Sequence, residues 1–222
     1  MKILVLAATI AVATITSSQA AIIISEIDPT GSGNSTYKAD WFELTNTGSI
    51  AVDITGWKMD DNSNSSSAAV GLRGVSSIAP GQSVVFVEGM ADGSTDATID
   101  ASFESAWFGS NVPNGFTIGN YGGSGVGLGN TGDAVNIFDS TGTLVTRDDF
   151  GTATTGVSFD NSAGLNNVTL SQVSVAGVNG AFVSPTSETG SPGTVIPEPG
   201  ACGLVLSGLT ALGFVRRRRV VA

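Results

Sequence analysis

The chain has 222 residues, enough for one domain with a sizeable core; 30 of them are glycine, and only 13% are charged. Between Glu26 and Glu188 the sequence holds eighteen acidic but only four basic residues, a balance that disfavours nucleic acid and anionic lipid as partners. Histidine is absent and the single cysteine is Cys202, which excludes an intramolecular disulfide, a Cys/His zinc cluster and the common His-based nucleophile pairs.

Residues 1–20 have the layout of a secretory signal peptide. Lys2 supplies the positive charge, residues 3–15 are apolar apart from two threonines, and Ser18-Gln19-Ala20 matches a small-x-small cleavage site. We therefore predict a signal helix that is removed after Ala20, with cleavage after Ala21 as an alternative. An uncleaved anchor or a buried first strand is the other interpretation.

Short apolar runs between turn residues predict an all-β fold. Apart from a central hairpin, the predicted elements are a strand at 22–27, a broken strand at 70–78, a turn at 79–82, a strand at 83–88, a hairpin of 133–138 and 143–146 around a turn at 139–142, and further strands within 148–158 and 167–175. The alternation in the hairpin places Val135 and Ile137 on one face.

The stretch 40–57 predicts the central hairpin of the fold. Its turn is 46–48, where Gly48 supplies a positive φ, and its second strand alternates apolar with polar or small residues from Ile50 onward. The stretch holds two of the three tryptophans, Trp41 and Trp57, so we expect it to lie at the core.

Residues 60–67 predict an exposed polar loop. Its opening, Asp60-x-Asn62-x-Asn64, copies a calcium loop, but the glycine and the final glutamate that such a loop requires are missing. A looser calcium site on Asp60, Asp61 and Asn62 is therefore the alternative to a solvated loop, and no other cofactor is expected.

Residues 89–132 predict a long glycine-rich loop packed by aromatic side chains. Long loops are often binding surfaces, although this one also fits the variable part of a β-sandwich. If it binds polysaccharide, Trp107, Phe116 and Tyr121 are the candidate stacking groups.

Carboxylates offer the one route to catalysis. Glu43, Glu88 and Glu104 could serve a hydrolase that needs two carboxylates at a defined separation. The pair Asp148-Asp149 beside Arg147 fits an ion pair at a strand end equally well. We expect no enzyme, and a carboxylate-based hydrolase is the minor alternative.

The C-terminal end has three successive parts. Pro197, Glu198 and Pro199 are followed by an apolar segment at 201–215 and then by four arginines: Arg216, Arg217, Arg218 and Arg219. As a helix the segment spans roughly 22 Å, short of the ~30 Å hydrocarbon core, so it predicts a weak transmembrane anchor with the basic tail 216–222 in the cytoplasm. A plain tail anchor is the alternative.

This arrangement resembles the PEP-CTERM sorting signal of Gram-negative bacteria. The resemblance implies that an exosortase cuts near the motif after transient insertion into the inner membrane, and that the protein is exported to the cell envelope or secreted. Bacteria with such proteins make exopolysaccharide and biofilm.

The middle of the chain resembles a lamin-tail domain. The match is carried by IIISEI at the start, DWFELTNTGSIAVDITGWKMDD, IAPGQSVVFV, NTGDAVNIFDSTGTLVTRDDFG and the closing TGSPG. It implies an immunoglobulin-like two-sheet β-sandwich over residues 21–193, followed by a linker at 194–200, and it implies no catalytic residues.

The combined expectation is an exported, non-catalytic surface or biofilm-matrix protein. It would act in adhesion or scaffolding, with extracellular polysaccharide or surface proteins as partners. A carbohydrate- or calcium-binding module is the alternative from a different class.

Overall fold

A computed structural model describes residues 22–160, 169–170 and 173–194. The predicted signal helix with Ala20, the sorting motif, the apolar segment and the arginines lie outside the described residues. In the described part, no helix has the length and apolar character needed to cross a membrane.

The described chain forms fourteen strands and two helices. In chain order the strands are β1 Ile22–Asp28, β2 Trp41–Asn46, β3 Val52–Asp53, β4 Lys58–Asp60, β5 Val70–Gly71, β6 Ser77–Ile78, β7 Ser83–Gly89, β8 Ile118–Gly122, β9 Asp133–Phe138, β10 Leu144–Phe150, β11 Phe159–Asp160, β12 Thr169–Leu170, β13 Phe182–Val183 and β14 Thr189–Gly190. The helices are α1 Gly31–Asn34 and α2 Asp96–Phe108.

Two five-stranded sheets form the body of the fold. The first has the order β11-β1-β2-β7-β8 and the second β12-β10-β9-β4-β5, while β3-β6 and β13-β14 are small two-stranded sheets. Parallel pairing occurs in β7-β8 and β10-β12, and the other pairs in the two large sheets are antiparallel. This mostly β, multi-sheet arrangement is consistent with the predicted immunoglobulin-like β-sandwich.

One apolar core lies between the two large sheets. The first sheet contributes Phe42 and Phe86, whose rings stack at 5.6 Å, and the second contributes Val135 and Ile137 on one face as predicted. Alternation of side chains along each strand puts these residues inward and their neighbours outward.

A β-bulge in β1 decides which residues of this strand enter the core. The register against β2 shifts between Ile24 and Glu26, so Ile24 and Ile27 both lie in the core although three positions separate them. If β1 paired regularly, with Ser25 in place but no bulge, strict alternation from Ile24 would turn Glu26 inward. The bulge thus directs a carboxylate to the outer face of the first sheet.

A second apolar cluster covers the outer face of the first sheet. Helix α2 packs there through Phe103 and Trp107, and the Trp41 ring meets both of them edge-on at 5.7 and 5.6 Å. Because Trp41 lies in this outer cluster and Trp57 in the core between the sheets, the two tryptophans do not share one hydrophobic centre.

The predicted central hairpin is wrong. Strand β2 pairs with β1 and β7, whereas Val52 pairs with Ile78 of β6. The turn itself is built by Asn46, whose amide donates to the Ile50 and Ile78 carbonyls at 2.8 and 2.9 Å. Gly48 is not among the glycines with positive φ in the described chain, and Ile50 is 60% exposed instead of buried.

The prediction of one long loop at 89–132 is also wrong, since the region contains α2 and β8. The helix is the main departure from an all-β fold. By contrast, the strands predicted at 22–27, 83–88 and 133–138 are confirmed, as is the turn at 79–82, where the Gln82 N–H donates to the Ala79 carbonyl at 3.0 Å.

Candidate functional site

The predicted stacking platform is not formed at two of its three rings. Trp107 and Tyr121 are 1% and 0% exposed, so neither presents a ring face to a ligand, and that part of the prediction is wrong. Phe116 is half-buried and stacks on Phe103 at 6.2 Å. These rings fill the two apolar layers, as aromatic groups in a β-sandwich commonly do.

Hydrogen bonds from the protein itself engage part of the candidate calcium loop, while Asp60 Oδ1 is buried and has no hydrogen-bond partner in the described part of the chain. Asp60 Oδ2 accepts from the Ser63 hydroxyl at 2.7 Å, and Asp61 Oδ1 accepts from the Ser63 N–H at 2.9 Å. Asn62 Oδ1 accepts from the Arg147 guanidinium at 3.0 Å. A calcium site on Asp60, Asp61 and Asn62 stays a prediction; in the ranges that the structure describes, no group of three or more His, Cys, Asp or Glu is arranged to hold a metal.

The candidate hydrolase carboxylates are not brought together. Glu43 faces outward on β2 with its cross-strand partner Val85, while Glu88, three positions beyond Val85 on β7, faces the opposite side of the sheet. Glu104 lies on α2. Arg147 forms an ion pair with Asp149 at 2.5 Å, as the alternative for that acidic pair predicted.

Three buried carboxylates form a row that the sequence did not predict, although it pointed to Glu43 as a candidate catalytic group. Glu26 pairs across β1 and β11 with Asp160 and across β1 and β2 with Glu43. Cross-strand partners point to the same face, with Cβ atoms about 5 Å apart, so the three acids stand side by side on the outer face. Their exposed fractions are only 1% for Glu26, 2% for Glu43 and 4% for Asp160. We call these residues the acidic row.

The last described residues of the chain cover the acidic row. Glu26 Oε1 accepts from the Ser191 N–H at 2.8 Å and from the Ser158 hydroxyl, and Glu26 Oε2 accepts from the Ser191 hydroxyl at 3.0 Å. Glu43 Oε2 accepts from the Gly193 N–H at 2.6 Å. Backbone N–H groups that lie 150 or more positions along the chain thus satisfy both glutamates.

Hydroxyl groups extend this network across the sheet. Glu43 Oε1 accepts from the Ser25 hydroxyl at 2.6 Å, which itself accepts from Thr45 at 2.7 Å. The Thr45 hydroxyl also bonds Ser83 at 2.6 Å, and Ser83 donates to the Thr194 carbonyl at 2.9 Å. The hydrogen-bond network therefore contacts the C-terminal segment at two positions, the Gly193 N–H and the Thr194 carbonyl.

Burial dominates the electrostatics of the row. Loss of solvent raises the pKa of Glu43 to about 7, and it raises the pKa of Glu26 well above its usual value, with the neighbouring Glu43 charge as the second cause. The ion pairs of the described residues, Arg73 with Asp96 and Arg147 with Asp149, lie elsewhere. Protons and uncharged hydrogen-bond donors are what offsets the charge of the two glutamates among the described residues.

One signal for this row is present in the sequence. Glu26 interrupts a β-branched run and Glu43 follows Trp41-Phe42 inside an apolar strand, positions at which an isolated charge is costly to bury. The donors, by contrast, come from a Gly/Ser-rich segment, and nothing in the sequence of that segment indicates that it binds the two glutamates.

The described chain is mostly β, with two large sheets and an added outer helix, which is consistent with an immunoglobulin-like β-sandwich. A family model for the Lamin Tail Domain matches residues 15–152 of the 222, and the chain belongs to that family. A second family model, for the PEP-CTERM protein-sorting motif, matches residues 195–219, which include the predicted Pro197, Glu198 and Pro199. No curated protein and no solved structure matches the chain.

These two matches bear on function at a coarse level. The sorting motif implies exosortase-dependent processing of an exported protein associated with the cell envelope. Both families are of non-catalytic kinds.

Proposed function

We propose that this protein is a non-catalytic surface or biofilm-matrix component that acts in adhesion or scaffolding after an exosortase has processed its C-terminal end. The observation that carries the proposal is the presence of a lamin tail domain and a PEP-CTERM motif on one chain. The first supplies a stable sandwich with loops for contact, and the second supplies the route outward.

The charge and the chemistry of the described residues support this proposal. Acidic residues far outnumber basic ones between residues 26 and 188, which suits a hydrated extracellular matrix and disfavours a nucleic-acid partner. Glu43 and Glu88 lie on opposite faces of one sheet, an arrangement that does not suit a two-carboxylate hydrolase. Exosortase, extracellular polysaccharide and other surface proteins are the proposed partners.

Mass spectrometry of the chain recovered from the native host tests the processing step. The expected product begins after Ala20, ends near residues 197–199 and is found in the envelope or medium. A variant with Pro197, Glu198 and Pro199 all changed to Ala is expected to keep its C-terminal mass and stay in the membrane fraction. Recovery of the unprocessed chain from the cytosol would refute export and processing together.

Deletion of the gene tests the adhesion step. Cells without it are expected to form less surface-attached matrix, and the wild-type copy is expected to restore it, whereas the Pro197/Glu198/Pro199 variant is not. Unchanged attachment and matrix mass would contradict the proposed role while leaving processing intact.

A further inference from the structure

The segment 188–194, which we call the latch, is docked on the first sheet by polar contacts. Its Ser191 and Gly193 N–H groups bind the two glutamates of the acidic row, and its Thr194 carbonyl accepts from Ser83. The Thr189 N–H donates to the Gly156 carbonyl at 2.8 Å. These bonds fix the position at which the chain leaves the domain, three residues before the sorting motif begins at Pro197.

Two glycines allow the latch to lie this close. A Cβ on Gly190 would stand 2.6 Å from Glu26 Oε1 and 2.9 Å from the Trp107 ring. Gly193 has a φ of +75°, and a Cβ there would stand 2.5 Å from the Phe116 ring. The backbone is therefore in direct contact with the carboxylates and leaves no room for water between them.

Within the ranges that the structure describes, the groups that face the glutamate pair bring no positive charge to it. Asp160 faces Glu26 from β11, and the row continues past Glu43 with the apolar Val85 and Ile118. To the pair itself the latch supplies only the uncharged donors of Ser191 and Gly193, whereas its own carboxylate, Glu188, accepts from the Tyr37 and Thr186 hydroxyls, each at 2.8 Å. Two ionised carboxylates side by side repel each other in such a site, whereas one shared proton removes most of the repulsion.

We propose that the latch is controlled by protons: it is closed while the Glu26–Glu43 pair holds at least one proton, and it opens when both carboxylates are ionised. Opening admits water to the pair, and water stabilises two charges that the closed site cannot. Burial raises the pKa of Glu43 to about 7 and the pKa of Glu26 well above its usual value, so the last proton leaves the pair at a pH well above the one at which an exposed glutamate ionises.

The number of undocked residues between the folded domain and the sorting motif depends on whether the latch is closed or open. With Thr194 docked, Pro197 lies within about 11 Å of it, since consecutive Cα atoms are about 3.8 Å apart. With residues 188–194 released, the reach from residue 187 to Pro197 grows to at most about 33–36 Å. This consequence rests on the proposed function: a membrane-bound exosortase would meet the motif against the folded domain at low pH and on a long tether at high pH.

Hydrogen exchange of the full-length chain in detergent micelles tests the proposal. Protection factors, corrected for the intrinsic pH dependence of exchange, are measured from pH 5.5 to 8.5 for the amides of residues 188–194. Above the pKa of the pair they are expected to fall by up to about tenfold per pH unit for each proton released. Amides of β9, in the sandwich core, are expected to keep their protection.

Two substitutions of equal size separate the latch from a general charge effect. Glu43→Gln keeps an oxygen that accepts the Gly193 N–H but cannot ionise, so the latch is expected to stay protected at pH 8.5. Glu104→Gln, on α2, removes the same charge elsewhere and is expected to follow the wild-type decline. Gly193→Ala is expected to lower latch protection at every pH.

Three results would overturn the proposal: wild-type protection that does not change with pH, a Glu43→Gln decline equal to that of the wild type, or a parallel loss in β9. The wild-type profile needs no substitution, so it decides the matter even when a variant fails to fold. The hydrogen-exchange measurement does not require the exosortase. If the chain is not processed in the cell but its latch still responds to pH, the proposed function is refuted and the latch proposal is not.

Discussion

The two faces of the first sheet are stabilised in different ways. Its inner face is apolar across the middle of the sheet, where Phe42 and Phe86 pack against the second sheet. Its outer face carries the aromatic cluster around Trp107 at one part and the buried carboxylates Glu26 and Glu43 at another. The inner face depends on burial of hydrocarbon, whereas the outer one also depends on donors brought from a distant part of the chain.

The two faces therefore differ in how far along the chain their determinants lie. The inner face follows from short stretches of sequence, whereas the outer face needs contacts from distant residues. Period-2 alternation is enough to predict which side chains point inward, because successive side chains of a strand point to opposite faces of the sheet. A buried carboxylate is stable only when it has hydrogen-bond partners, and the backbone donors of Glu26 and Glu43 lie 165 and 150 positions away along the chain.

The largest expected effect is on the inner face. Phe42→Ala removes a fully buried ring that contacts Phe86 and Tyr121, and we expect it to lower the free energy of unfolding by about 3–5 kcal/mol. Urea denaturation followed by fluorescence measures it. Ile50→Ala, at a 60% exposed position, is the control and is expected to change stability by less than about 0.5 kcal/mol. Equal effects would contradict the placement of Phe42.

A smaller loss is expected on the outer face from Gly190→Ala. The new methyl group would lie 2.6 Å from Glu26 Oε1 and 2.8 Å from the Ser158 hydroxyl, so overpacking is expected to lower unfolding free energy by about 1–3 kcal/mol. Gly151→Ala adds the same group where nothing lies within 4 Å, and is expected to be near neutral. The same urea titration compares the two, and a neutral Gly190→Ala would show that the latch is not held against the carboxylate.

The dependence of Tm on pH sharpens the comparison between the faces. Asp148, on the core side of the second sheet, has its pKa raised to about 7 by burial and by the Asp149 charge. A raised acid pKa stabilises the fold below the unfolded value, near 3.8, and that contribution disappears as pH rises through about 7. We therefore expect Tm to fall from pH 5 to 9, and Asp148→Asn and Glu43→Gln each to flatten the fall. A wild-type Tm that rises over this range would contradict both assignments.

The smallest effect is expected from the surface ion pair of Arg147 and Asp149. Their side chains are 25% and 49% exposed, so Arg147→Met is expected to lower unfolding free energy by less than about 1 kcal/mol, and less still in 0.5 M salt. Arg73→Met is the comparison, because its partner Asp96 is only 20% exposed, against 49% for Asp149, and because Arg73 connects the loop after β5 to the start of α2. Urea titrations at two salt concentrations measure both variants, and a larger loss for Arg147→Met would reverse their order.

Local patterns predicted the elements of the sandwich better than their pairing. The strands at 83–88 and 133–138 follow from alternation and from turn residues next to them. The pairing of β2 with β1 and β7 does not, because the turn at Asn46 looks the same whether the strand after it pairs back or crosses to β6. Helix α2 did leave a signal, since Ile99, Phe103 and Trp107 recur every four positions.

The candidate site was harder to predict, because its hydrogen-bond donors are backbone groups that leave no signal in the sequence. The glycine-rich stretch around Trp107 and Tyr121 predicts an open loop with exposed rings, whereas the burial of both rings depends on the packing of α2 and β8 with the first sheet. Glu26 and Glu43 stand out in apolar strands, yet the Ser191 and Gly193 N–H groups belong to backbone that any residue except proline supplies.

The neighbouring positions of β1 and residues 191–194 have a consequence for biosynthesis. A ribosome makes Glu26 first and Ser191 165 residues later, so a growing chain can assemble β1, β2 and β7 while their outer carboxylates are still in water. Truncation before residue 188 would leave Glu26 and Glu43 exposed to solvent on this side of the sheet, because residues 191–193, which cover them, would be missing.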